Sequence, residues 1–123
     1  MPAIAVHAFG IDTGAARPLS AAVRQRVVEA LPEVAPNCSC RVLVCDAAEL
    51  PEPAQPPSAW VEVTMFPGRQ RADKRALYAA IIDSCAGAAI PPESVTIVVH
   101  EPPLENWGIR GGRLAADLFS TQH

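Results

Sequence analysis

The chain has 123 residues, half of them apolar and 19% charged, with a net charge of −3. That length suits one compact domain, and the acidic balance leaves no basic footprint for nucleic acid. No apolar run is long enough to span a bilayer and no charged-then-apolar leader opens the chain, so a cytoplasmic protein without a membrane partner is expected.

From the start, Met1-Pro2 leads into a strand-like run, PAIAVHAF (Pro2–Phe9), and then a loop, Gly10-Ile11-Asp12-Thr13-Gly14. Gly10 and Gly14 make no phosphate loop, because no Lys-Ser/Thr follows them. The apolar period then becomes helical: Leu19, Val23, Val27, Ala30 and Leu31 share a face, with Pro18 suited to the first turn. PNCSCRVLVCD (Pro36–Asp46) is β-rich, whereas AAELPEPAQPPS (Ala47–Ser58) is too rich in proline for an interior strand. AWVEVTMF (Ala59–Phe66) reads as a strand again. A second helix carries Leu77, Ala80, Ile81 and Cys85 on one face, with Gly87 just past its end, and PPESVTIVVHE (Pro91–Glu101) completes the pattern.

The two halves repeat. Pro36, Ser39 and Asp46 in the first are spaced as Pro91, Ser94 and Glu101 in the second. Each half is strand–helix–strand, with a connection long enough for a parallel crossover. One domain over residues 1–123 is expected: unit one at 2–46, a linker at 47–58, unit two at 59–112 and a tail at 113–123. The fold class is α/β (α+β), in the order β-α-β-β-α-β, with one four-stranded sheet and two helices on one face. The other face also bears apolar residues, and the high apolar share of the chain favours covering it in an oligomer.

Cys38, Cys40, Cys45 and Cys85 lack zinc-site spacing and read as buried, reduced thiols. No metal and no cofactor are expected. His7 and His100 fall in strands as partly buried polar groups, with His100 a weaker candidate to face a site; His123 has no assigned role.

Several residues together resemble the tautomerase superfamily. The second half is similar to 4-oxalocrotonate tautomerase along nearly its whole length. The resemblance rests on an opening strand closed by Gly68-Arg69, on Lys74 and Leu77, on Pro91-x-x-Ser94-Val95, and on the aromatic-Gly-Ile-…-Gly-Gly of Trp107 to Gly112. The first half carries the Met1-Pro2 start and the strand arginine in Ser39-Cys40-Arg41-Val42. Two such units in one chain resemble the fused, typically trimeric members; macrophage migration inhibitory factor and malonate semialdehyde decarboxylase share that plan.

The resemblance implies an isomerase that moves a proton in a small enol or unsaturated keto acid, with Pro2 as general acid–base once Met1 is removed. If Met1 is retained, the Pro2 nitrogen is an amide and cannot be a base. Arg69 and Arg41 would hold the substrate carboxylate and the developing enolate. Trp107 would wall the pocket, with Asn106 as a possible hydrogen-bond donor. Thr96 stands where the second unit would carry its strand arginine and Ala59 where it would need an amino-terminal proline, so one site per chain is expected. The alternatives are a hydratase, decarboxylase or dehalogenase of the same superfamily, with Glu101 a candidate to activate water, and a non-catalytic trimeric binding module that has lost its base. The partners implied are a small carboxylate-bearing substrate and further copies of the chain.

Overall fold

The computed structural model describes residues 2–119, so Met1 and His123 lie outside it. The main elements are β1 (Ala3–Phe9), α1 (Ala16–Ala30), β2 (Ser39–Cys45), β3 (Ser58–Thr64), α2 (Arg71–Gly87) and β4 (Val95–His100). A small hairpin follows, β5 (Gly108–Ile109) and β6 (Arg113–Leu114), then a single helical turn, α3 (Ala115–Leu118). The stretch read as a tail thus begins with β6 and α3. The expected four-stranded sheet forms in the order β2-β1-β3-β4. β1/β2 and β3/β4 are parallel, and β1/β3 in the middle are antiparallel.

Strand alternation assigns every sheet residue to a face. Ile4, Val6 and Ala8 are buried under the helices, and their partners across β1/β3 are Val63, Val61 and Ala59. Cys40 and Val42 on β2, and Val95, Ile97 and Val99 on β4, pack on the same core. Leu19, Val23 and Val27 of α1 and Leu77, Ala80, Ile81 and Cys85 of α2 close it from above. Fully burying a side chain such as Val6, Val61 or Ile81 contributes about 1.5–3 kcal/mol, so this single layer dominates stability. The opposite face holds the odd-numbered residues of β1 and β2 and the even-numbered residues of β3 and β4. It leaves Leu43 at 40% and Trp60 at 45% exposed.

The helix periods match the sequence except at one residue. Ala30 is exposed, because α1 ends there; Leu31 leaves the helix with φ −134° and turns its side chain into the core. The linker returns along the start of the sheet. Gly10 adopts φ +80°, and a Cβ placed on it would stand 2.7 Å from the Cβ of Pro56, so both backbone angle and space require glycine there. The repeat spacing that carries Ser39 onto Ser94 and Asp46 onto Glu101 also carries Pro2 onto Pro57. Both prolines stand immediately before a strand, one before Ala3 and the other before Ser58. Pro57, not Ala59, is therefore the counterpart of Pro2.

Candidate active site

Residue 2 falls on the helix side of the sheet by the same alternation, and Pro2 is buried. Its carbonyl accepts a hydrogen bond from the Ser39 amide at 3.1 Å. Because β1 and β3 are antiparallel with Ala3 opposite Thr64, the chain leaving β3 runs directly beside Pro2. Gly68, at φ +111°, then turns it toward α2. The result is a pocket of about 360 Å³. Pro2 lies in it, with Leu31 and Val34 from the segment after α1, Met65 to Arg69 from the β3–α2 turn, and Asp73 and Leu77 from α2. Met65 and Leu77 are buried and give the pocket an apolar side, while Arg69 and Asp73 give it a polar one.

Arg69 is the cation of this pocket, and its side chain is only 24% exposed. One guanidinium nitrogen donates to Glu33, from the short helical segment Pro32–Asn37, and lies 3.5 Å from Asp73, one turn into α2. The hydrogen bond from Arg69, with a further one from the backbone, holds the Glu33 carboxyl below its ordinary value.

The structure brings Pro2 and Arg69 together but leaves three other expected residues outside their pocket. Arg41 pairs with Ala5 in β2 and points from the opposite face of the sheet, into a groove it shares with Ala3, Ala5, Glu62 and Thr64. The cause is alternation, since Cys40 and Val42 face the core. Trp107 stands one layer back. Its ring meets Phe66, a pocket residue, edge to face at 4.8 Å and 87°, and its Nε1 donates to the Pro102 carbonyl at 3.0 Å. Phe119 also packs near Phe66, with ring centroids 5.6 Å apart. Asn106 ends a short turn and is exposed.

Among the remaining candidates, Glu101 accepts from Lys74 Nζ at 2.7 Å. His100 is exposed on the open face, 3.5 Å from Glu62, and His7 is half-buried there. All four cysteines are free thiols, with Cys38 and Cys85 buried and Cys40 and Cys45 half-buried. Burial pushes Cys40 up to about 12 and Cys85 to about 11, and raises Cys38 as well. Among the described residues no group of three or more His, Cys, Asp or Glu is placed to hold a metal ion, and no helix is long and apolar enough to cross a membrane.

Sequence reasoning did not identify Phe66, Glu33 or Asp73. Asp73 had a local signal, its i,i+4 spacing from Arg69 at the start of a helix. Phe66 ends a strand-like run, where an apolar residue signals only core. Glu33 meets Arg69 across 36 residues of chain, and no periodicity reports such a contact.

Solved structures share the fold over nearly the whole chain. Pt0534 inactivated by 2-oxo-3-pentynoate superposes with TM-score 0.84 at 19% identity, covering 94% of this chain and 98% of that one. A fused 4-OT symmetric trimer gives 0.80 at 22%, covering 92% and 95%. The FG41 malonate semialdehyde decarboxylase inhibited by 3-bromopropiolate gives 0.75 at 19%, covering 97% and 98%. No curated protein matches the chain. The family described as "Tautomerase enzyme" matches residues 43–110, more than half of the sequence. With that match and this fold, the chain belongs to the tautomerase superfamily.

Proposed function

We propose that the chain is a keto–enol tautomerase acting on small enol or unsaturated keto acids, with the Pro2 nitrogen carrying the proton. The observation that supports this reading most is the burial of Pro2 in a pocket with apolar walls from Leu31, Met65 and Leu77 that also holds Arg69. With Met1 removed, the Pro2 nitrogen is a secondary amine. A chain-terminal amine ordinarily titrates near ~8, and apolar walls disfavour its ammonium form. A pKa lowered toward working pH is where acid–base transfer is most efficient.

In the reaction the enol O–H bond breaks and its electron pair becomes the carbonyl. The C=C pair takes up a proton at carbon, delivered through the Pro2 nitrogen, so no co-reactant is consumed. Arg69 binds the substrate carboxylate, and Phe66, backed by Trp107, excludes water. Arg41, on the far face of its own sheet, would serve the pocket of a neighbouring copy in a homotrimer, and Asn106 would likewise act across a boundary. The trimeric state of the similar fused 4-OT structures supports this assembly. The engagement of Glu101 by Lys74 weighs against a water-activating role and so against hydrolytic chemistry.

Two measurements test the reading together. Intact-mass spectrometry should give a mass lacking Met1. Ketonisation of phenylenolpyruvate or 2-hydroxymuconate, followed by absorbance, should fall by about 10²–10⁴-fold in Pro2→Ala, the range general acid–base transfer contributes. Full activity in that variant removes the mechanism.

A further inference from the structure

Among the described residues, the cation of the Pro2 pocket already has carboxylate partners. Arg69 lies between two carboxylates, Glu33 and Asp73, that differ in how they are held. Asp73 sits on the first turn of α2, four residues from Arg69, in a helix of 17 residues. Glu33 comes from the other half of the chain, on the short segment Pro32–Asn37, and its side chain is 57% exposed. Among the described residues the Glu33 carboxylate is exposed, so it can rotate into water at small cost in solvation. Its charge persists at neutral pH, because the guanidinium favours the ionised form.

A guanidinium has a limited number of well-directed donors, and a carboxylate ligand uses two of them. Both residents contact the same nitrogen, Nη1, so a substrate carboxylate that binds end-on through Nη1 and Nη2 meets a local net negative charge and must replace one of them. We propose that Glu33 is a built-in competitor at Arg69, released into solvent when a carboxylate ligand binds, while Asp73 stays and orients the guanidinium. Glu33 is then a specificity-determining residue. It raises the threshold for anions, so that ligands gaining further contacts with the apolar wall of Met65, Phe66 and Leu77 are favoured over simple carboxylates. This deepens the tautomerase reading in so far as Arg69 is the carboxylate anchor, but it requires no turnover.

The test is equilibrium binding of benzoate, which does not react, to the full chain by isothermal titration calorimetry at neutral pH. Methyl benzoate serves as the uncharged control. Exposed ion pairs are weak, so Glu33→Gln should tighten benzoate binding by about two- to fivefold and leave methyl benzoate unchanged. Arg69→Ala should remove the preference for benzoate over its ester, and Glu93→Gln, at an exposed acid outside the pocket, should match wild type. Benzoate binding that is unchanged or weaker in Glu33→Gln overturns the proposal, as does equal tightening in Glu93→Gln, which would mark a bulk charge effect. A preference for benzoate that survives Arg69→Ala overturns it as well. Repeating the series in Pro2→Ala separates the two ideas. Glu33 can prove a competitor in a chain that catalyses nothing, and an active Pro2 enzyme can show no response to Glu33→Gln.

Discussion

The pocket that holds Pro2 and Arg69 combines opposite surroundings drawn from four separate segments of the chain. Leu31, Met65 and Leu77 are buried apolar side chains beside Pro2, while Asp73 and Glu33 compensate the guanidinium. A lysine at position 69 would keep the charge but lose the planar fork. Arg69→Lys should accordingly lower kcat/KM for an enol acid by about 10- to 100-fold while leaving the thermal midpoint near wild type; equal rates in the two proteins would show that two-point binding is not used. The thiols follow the opposite logic, because Cys85 is buried with nothing to stabilise a thiolate. Its raised pKa means that the protonated thiol persists through neutral and mildly alkaline pH. Alkylation of the native chain by iodoacetamide at pH 8 should modify Cys85 about 100-fold more slowly than an ordinary exposed thiol. Rapid labelling followed by peptide mapping to Cys85 would contradict that.

At the level of elements, period and punctuation carried most of the fold. Val6 and Val61 meet at the centre of an antiparallel pair because each belongs to an alternating run, and the two helices follow from the 3.6-residue spacing of Leu19/Val23/Val27 and Leu77/Ile81. The facing of Arg41 was legible by the same rule, since its apolar neighbours Cys40 and Val42 commit it to the far side of the sheet. Contacts between distant segments were not legible. Trp107 on Phe66 and Glu33 on Arg69 depend on how turns close, and turn geometry leaves little trace in side-chain chemistry. Two glycines offer a direct comparison. Gly10→Ala forces a left-handed backbone on alanine and a collision with Pro56, and should cost about 1–3 kcal/mol. Gly87→Ala, in open space at the end of α2, should be neutral or stabilising by up to about 1 kcal/mol. Chemical denaturation of both variants checks the contrast, and a Gly10→Ala chain as stable as Gly87→Ala would contradict it.

For the whole molecule, the surface that matters most is the open side of the sheet, where Trp60 and Leu43 are part-exposed on the face that also carries Arg41, His7 and Glu62. If three copies pack through it, Trp60→Asp should convert trimer to monomer in light scattering. It should also abolish any activity that depends on Arg41, though Trp60 lies outside the Pro2 pocket. A trimer that survives the substitution would place the interface elsewhere. The doubled architecture has one more effect, fixed at Pro57. This residue keeps the ring and the place of Pro2, but Pro56 is joined to its nitrogen, so the duplicate amine is spent on the peptide bond. Stoichiometry follows from that. With Met1 removed, an electrophile that captures secondary amines should saturate at a single equivalent per polypeptide, and a three-fold assembly would then give three reactive centres where six unfused half-chains would have offered six.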